Sequence, residues 1–230
     1  MLDPKASKPD SFKPRRWFLS GAAATAAAFG FGKVASSADA VPPTATGGGT
    51  DFQKWLDRIK GQYRQVYDMP EPNNGFGLIW SHVYLLTGAQ GYGVSESELG
   101  VVVVLRHNAI PIALNDSMWA KYTLGEFFKI NDPATKAPAT RNPFAHIKPG
   151  DLPIPDAALD KLVARGVMFG ACNMAITFRS AAVAKQMGLR PEDVKKDWID
   201  NLMPGVQVVP SGVVAVNGAQ ARGCSYCFAG

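Results

Sequence analysis

The sequence predicts an α/β fold, a single domain with a doubly wound, mostly parallel five-stranded sheet and helices on both faces. Strand-like apolar runs alternate with helical patterns along the chain, which is the order expected of such a sheet. Residues 99–105 (LGVVVVL) form an unbroken β-branched run, typical of a central parallel strand covered on both faces. A length of 230 residues with 47% hydrophobic and 19% charged residues is ordinary for a globular protein.

The elements follow in order after an N-terminal segment. A helix begins at Asp51, a plausible N-cap, and its apolar residues share one face. The predicted strands are residues 63–68, 99–105, 167–171, 205–209 and 224–229. The later helices are predicted at residues 78–92, 117–128, 155–165, 173–187, 191–201 and 212–221. Residues 129–151 are polar and contain four prolines, so we expect a long loop, a kind of segment that often carries function or covers a neighbouring subunit.

Residues 1–40 are predicted to be a signal peptide for twin-arginine (Tat) export. Arg15 and Arg16 precede an aromatic residue and a leucine, a weakly hydrophobic Ala/Gly-rich segment follows, and Ala38 and Ala40 form a small-residue cleavage site. The apolar run is too short and too poor in leucine and isoleucine for a membrane span. The alternative is a basic tail beside an Ala-rich helix that arose by chance.

Export would take the folded protein through the Tat translocase to the periplasm or the cell exterior, where disulfides are allowed. Residues 41–50 (VPPTATGGGT) would then be a flexible spacer ahead of a domain at 51–230. The full chain has a net charge of +5, but loss of residues 1–40 removes six basic and three acidic side chains and leaves +2. A nearly neutral chain does not favour nucleic acid as a partner, and no later segment is apolar enough to span a bilayer.

Cys172 is the leading candidate for chemistry. The apolar run 167–171 ends just before it, and a helical pattern begins at Asn173. A thiol at this position lies where backbone N–H groups and the helix dipole can stabilise a thiolate. The alternative is a buried cysteine that acts as a small hydrophobic residue.

The other candidates also directly follow predicted strands. Ligands of parallel sheets bind outside the carboxyl ends of the strands, so these residues are placed to contact a ligand. Arg106 and His107 follow one strand, and Ser211 and Gly212 follow another. His107 could pair with a thiolate or bind an anion, and Arg106 could contact an anion. For both residues the alternative is a solvated side chain at a strand end.

Cys224 and Cys227 form a C-x-x-C at the end of the chain. In a strand, residues three apart face opposite sides and lie about 10 Å apart, whereas a disulfide needs Cα atoms within about 7 Å. The pair therefore bridges only if the segment turns, or else one of them pairs with Cys172. Zinc would need two more ligands and no second C-x-x-C is present, so we expect no metal and no cofactor.

The chain resembles the DsrE/DsrF-like (YchN-like) sulfur-relay superfamily, and more closely its exported group with a Tat signal. The resemblance covers residues 63–230 and rests on residues 101–105, 110–116, 118–122, 167–175 and 209–217. It implies a small doubly wound α/β sandwich that assembles as trimers or hexamers. Some members carry a cysteine at the end of the strand that matches 167–171, where it accepts sulfur as a persulfide and passes it on. Only Cys172 matches that motif.

These observations lead to three hypotheses of function. In the first, Cys172 carries or transfers sulfur between a donor and an acceptor protein, Asn173 and the amides after it stabilise the anionic sulfur, and His107 or Arg106 assists. In the second, the chain is a non-catalytic oligomeric module whose strand-end pocket holds a small anion or cofactor. In the third, it is a thiol oxidoreductase that uses Cys172 with Cys224 or Cys227. Whether the protein is an enzyme stays open.

Overall fold

A computed structural model of the chain describes residues 48–148 and 150–230. The predicted signal peptide, with Arg15, Arg16, Ala38 and Ala40, lies outside the described residues, as does most of the predicted spacer. None of the helices in the described ranges has the length and apolar character needed to cross a membrane.

The described residues form one five-stranded sheet, and every pair of neighbouring strands in it is parallel. The strands are β1 (Tyr63–Met69), β2 (Leu99–Leu105), β3 (Met168–Cys172), β4 (Val206–Val209) and β5 (Ser225–Phe228). Their order across the sheet is β4-β3-β2-β1-β5. The helices are α1 (Gly48–Asp57), α2 (Phe76–Tyr92), α3 (Asp116–Lys121), α4 (Leu124–Phe128), α5 (Leu159–Ala164), α6 (Asn173–Met187), α7 (Pro191–Asp200) and α8 (Gly212–Gln220).

Helices cover both faces of the sheet, which confirms the predicted doubly wound α/β fold. All seven residues of β2 are buried, as its unbroken apolar run predicts. Because side chains alternate along a strand, Val102 and Val104 pack with α1 and α8, whereas Val101 and Val103 pack in a larger cluster with α2, α5, α6 and α7. The core therefore lies in two layers, one on each side of the sheet.

Several predicted helices have different limits in the structure. The first helix, α1, begins at Gly48, so Asp51 lies in its first turn and is not its N-cap. The helix predicted at 117–128 is split into α3 and α4, because Thr123 adopts a left-handed backbone (φ 46°) that interrupts helical hydrogen bonding. The helix predicted at 155–165 starts with a 3₁₀ turn, Pro155–Ala157, before α5 begins at Leu159. A further 3₁₀ segment, His107–Ala113, follows β2 and was not predicted.

The predicted long loop is held in shape by buried polar groups. Arg141 forms ion pairs with Asp151 and Asp132, at 2.6 and 2.8 Å. The side chain of Asn142 donates to the carbonyl groups of Ile112 and Leu114 and accepts from the Phe144 N–H. These contacts replace the backbone pairing that a helix or strand would supply, and so they fix an irregular segment on the domain.

The strand register brings the ends of neighbouring strands to one edge of the sheet. Leu105, the last residue of β2, pairs with Ala171, and Cys172 at the end of β3 pairs with Val209 at the end of β4. On the other side of β2, Met69 at the end of β1 pairs with Leu105. The residues that directly follow these strands therefore meet at the carboxyl edge.

Candidate functional site

Cys172 ends β3 and is the N-cap of the 15-residue helix α6. Its Sγ atom accepts a hydrogen bond from the Ala175 N–H, with an N···S distance of 3.3 Å. The residue is only 5% exposed. The sulfur thus takes the place that a serine or aspartate oxygen usually fills at a helix N-terminus, where the dipole favours negative charge.

Arg106 follows β2 directly and occupies the position beside Cys172. Its guanidinium forms a two-point contact with the Asp68 carboxylate, with Nε···Oδ1 at 2.5 Å and Nη2···Oδ2 at 2.8 Å. The hydrogen bonds to Asp68 raise the pKa of Arg106, and the nearby Asp68, Tyr226 and Cys172 groups act in the same direction against the effect of burial. A permanent cation, positioned by a buried carboxylate, therefore lies within electrostatic range of the thiol.

Asp68 and Tyr226 complete this cluster, and the sequence does not single out either residue. Asp68 is 5% exposed, and its Oδ2 atom accepts a hydrogen bond from the Tyr226 hydroxyl at 3.0 Å. Burial raises the pKa of Tyr226, and the hydrogen bond and charge of Asp68 add to that rise. One signal in the sequence could have indicated Asp68. It lies two residues after Val66 in the same strand, so its side chain shares the face that Val66 packs into the core, and a carboxylate on that face requires a partner.

Gly212 is the first residue of α8 and lies next to the Arg106 side chain, and Ser211 precedes it as the N-cap of the helix. A Cβ atom added to Gly212 would lie 2.7 Å from Cδ of Arg106, so only glycine lets the arginine pass under this first turn. The Ser211 hydroxyl caps the helix by accepting a hydrogen bond from the Val214 N–H at 3.3 Å. The structure therefore brings Gly212 to Arg106 and gives Ser211 a capping role.

Asn173 and His107 are placed less centrally. Asn173 is the first residue of α6 and is half-buried, and its carbonyl accepts a hydrogen bond from the Thr177 hydroxyl. His107 is exposed and has a left-handed backbone (φ 46°) at the start of the 3₁₀ segment. Nothing in the described contacts ties His107 to Cys172, so the geometry favours Arg106 as the cation at this site.

Cys224 and Cys227 do not form a redox pair in the structure, where all three cysteines are free thiols. The terminal segment is the extended strand β5, so Cys224 packs in the α1/α8 cluster while Cys227 packs against the cluster on the opposite face. Two strands, β2 and β1, separate β5 from β3. Three strand spacings place Cys172 about 14 Å from β5, beyond the reach of a disulfide.

The terminal segment is extended and does not turn, so the condition for a bridge between Cys224 and Cys227 is not met in the structure. Burial raises the pKa of both C-terminal thiols, and for Cys224 this outweighs the opposite effect of Arg64. Among the described residues, no group of three or more His, Cys, Asp or Glu side chains is placed to hold a metal ion.

The chain was compared with protein-family models and with curated proteins. No protein-family model matches the chain, and no curated protein matches it with significance. The site is accordingly defined by its own residues: a thiol at a helix N-terminus, with an arginine beside it that is held by Asp68 and Tyr226.

Proposed function

We propose that this protein is an exported DsrE-like protein that binds and transfers sulfane sulfur through Cys172. The observation that carries the proposal is the hydrogen bond from the Ala175 N–H to Sγ of Cys172, at the start of α6 and beside Arg106. Both features favour an anionic sulfur atom. A persulfide is such a group, because its terminal sulfur is readily ionised and carries the charge about 2.05 Å beyond Sγ.

The transfer step is a thiol–persulfide exchange that needs no added oxidant. The Cys172 thiolate attacks the outer sulfur of a donor persulfide, R–S–SH, and forms the new S–S bond. The S–S bond of the donor breaks, and the donor sulfur leaves with the electron pair and takes up the proton as R–SH. Sulfur is then passed on when an acceptor thiolate attacks the outer sulfur of the Cys172 persulfide in the same way.

The surroundings of Cys172 favour a macromolecular donor or acceptor. Met174 and Phe178 are exposed on the first turns of α6, and Val213 and Val214 are exposed on the first turn of α8. Both helices start at the carboxyl edge, so these apolar side chains surround the approach to a thiol that is itself buried. A partner protein that covers these apolar side chains would exclude water from the contact and would bring its own thiol close to Cys172.

Export and assembly belong to the same proposal. The twin arginines and the small-residue site support delivery through the Tat translocase to the periplasm or cell exterior. Assembly as trimers or hexamers is supported by the resemblance and by the exposed apolar side chains of Trp80 and Val83 on α2. Sedimentation of the purified protein, which would give the mass of one chain if the proposal is wrong, tests the assembly separately from the chemistry.

A second candidate function is supported by the low exposure of Cys172. At 5% exposure the thiol also fits a packing role, with the strand-end residues Arg106, Ser211 and Gly212 forming a non-catalytic site for a small anion. Under that hypothesis Cys172→Ser, which keeps an acceptor for the Ala175 N–H, would retain anion binding.

The two candidates are separated by incubating the purified protein with glutathione persulfide and measuring its intact mass. We expect a gain of one sulfur atom in the wild-type protein and in Cys224→Ala/Cys227→Ala, but none in Cys172→Ala. Equal loading of Cys172→Ala and wild type, or no loading under conditions that convert a small control thiol, would overturn the sulfur-transfer proposal.

A further inference from the structure

A cavity of about 560 Å³ opens between the turn that follows β1 and the long loop. Its lining comes from four stretches, residues 71–76, 128–136, 143–144 and 151–153. Arg106, Cys172 and Ser211 are not among the lining residues, so this cavity is separate from the thiol site. Its volume lies in the range of pockets that bind small organic molecules.

One part of the lining is apolar and mostly aromatic. Phe76, Phe128 and Phe144 line the cavity together with Leu152. Phe76 is 41% exposed, so part of its ring is open to a bound molecule. Aromatic side chains grouped around a cavity offer both apolar area and edge or face contacts to a flat ring.

The polar part of the lining includes two ammonium groups. Lys129 and Lys136 line the cavity, and in the part of the chain that the structure describes neither ammonium group takes part in an ion pair. Lys136 lies inside the segment that is closed by the bridge between Asn131 and Pro138, and Lys129 lies two residues before that segment. The amide side chains of Asn73, Asn74 and Asn131 add hydrogen-bond donors to the same lining.

The carboxylates of the lining are already bound to other groups. Asp151 accepts two hydrogen bonds from Arg141 and one from the Lys148 N–H. Asp132 accepts from the N–H groups of Ala134 and Thr135 and pairs with the same arginine.

The remaining acid, Glu71, receives the Asn108 amide at 2.9 Å on both oxygens. That amide carries no charge, so no cation contacts Glu71 within the described contacts, whereas Asp132 and Asp151 share the single charge of Arg141.

The backbone around the cavity is held in an uncommon conformation. Asn73, Asn74, Lys129 and Lys136 all have left-handed backbone angles, with φ between 38° and 61°. They are four of the six non-glycine residues with positive φ among the described residues, and all four line this cavity. Non-glycine residues keep such angles only where their surroundings impose them, and they cluster at ligand sites.

We propose that this cavity binds a small aromatic carboxylate. The ring lies against Phe76, Phe128 and Phe144, and the carboxylate accepts hydrogen bonds from Lys129 and Lys136. Charge-assisted hydrogen bonds of this kind orient the anion, and the aromatic wall contributes the apolar contact. The site is independent of sulfur transfer at Cys172, and either proposal can fail without the other.

The test is a calorimetric titration of the purified full-length protein with 2-naphthoate and, as a matched uncharged probe, 2-naphthamide. We expect saturable binding of naphthoate and about tenfold weaker binding of naphthamide. Lys129→Gln/Lys136→Gln should weaken naphthoate binding about tenfold and leave naphthamide binding unchanged, because only the anion uses the ammonium groups. Glu71→Gln should strengthen naphthoate binding, since it removes a like charge.

Two further variants locate the bound ring. Phe76→Ala should weaken both probes, whereas Phe178→Ala, at an exposed phenylalanine outside the cavity, and Lys185→Gln, at an exposed lysine outside it, should change neither. Equal affinity for the two probes, no effect of the double lysine variant, or loss of binding in Phe178→Ala would each overturn the proposal. Thermal unfolding of every variant shows whether a loss of binding is a loss of folding.

Discussion

Cys172 and the two C-terminal cysteines share one sheet but have opposite surroundings. Cys172 lies at the carboxyl edge, where the Ala175 N–H points at its sulfur and Arg106 lies nearby. Cys224 and Cys227 lie on opposite faces of the edge strand β5, and burial raises the pKa of both thiols. All three are free thiols, so Cys172 differs from the other two in the charged and polar groups around its sulfur and not in its redox state. We therefore propose that the position at a strand end, more than the C-x-x-C motif, selects the thiol that reacts.

The largest expected effect is the contrast in reactivity between these thiols. At pH 7 we expect iodoacetamide to label Cys172 about tenfold faster than Cys224 or Cys227, because the Ala175 N–H and the nearby Arg106 cation favour an anionic sulfur at Cys172. Peptide mass spectrometry of time points gives the three rates in one sample. Comparable rates for all three thiols would remove the distinction.

The pH dependence of labelling sharpens the same contrast. Because their pKa values are raised, Cys224 and Cys227 should become labelled only as the pH rises beyond the ordinary thiol value of about 8.5. In that range the folded state holds more protons than the unfolded state, so stability should fall as pH rises above about 8.5. Urea unfolding at several pH values measures this fall, and Cys224→Ala/Cys227→Ala should reduce it.

Removing the cation tests whether Arg106 supports the thiol. Arg106→Gln should slow labelling of Cys172 about tenfold, and it should also destabilise the fold by about 3 kcal/mol because Asp68 is left buried without its partner. The double variant Arg106→Gln/Asp68→Asn is the matched control, since it replaces the ion pair with neutral amides. If the double variant regains both stability and the wild-type labelling rate, the arginine acts only through packing.

A steric change at Gly212 should have a smaller effect. Gly212→Ala places a methyl group against the Arg106 side chain, and the resulting shift should destabilise the fold by about 1–2 kcal/mol. The labelling rate of Cys172 should fall less than in Arg106→Gln, because the charge is kept. Gly91→Ala is a suitable control, since a Cβ at Gly91 meets no atom within 4 Å.

The smallest expected effect belongs to Tyr226. Tyr226→Phe removes the hydrogen bond to Asp68 and should lower the free energy of unfolding by about 1 kcal/mol. Arg106 keeps both hydrogen bonds to Asp68, so labelling of Cys172 should change less than twofold by this argument. A large loss of reactivity in Tyr226→Phe would instead indicate that the hydroxyl contacts the reacting sulfur.

The strands and the place of Cys172 could be predicted because their signals are local. The run at 99–105 has the composition of a buried strand, and residues 167–175 contain both the end of a strand and the start of a helix. The cluster around Arg106 depends on contacts across 38 and 158 positions of sequence, which no local pattern encodes. The same holds for Arg141 in the long loop, where prolines predict the absence of regular structure but not the ion pairs that replace it.

Competition among the three thiols for a limited supply of sulfur tests most directly whether Cys172 is the sulfur acceptor. Wild-type protein is treated with a limiting amount of glutathione persulfide, trapped by alkylation and digested, and each cysteine peptide is measured for persulfide. We expect persulfide on Cys172, and a lower yield there in Arg106→Gln/Asp68→Asn. Persulfide spread evenly over Cys172, Cys224 and Cys227, or found only on the C-terminal pair, would contradict it.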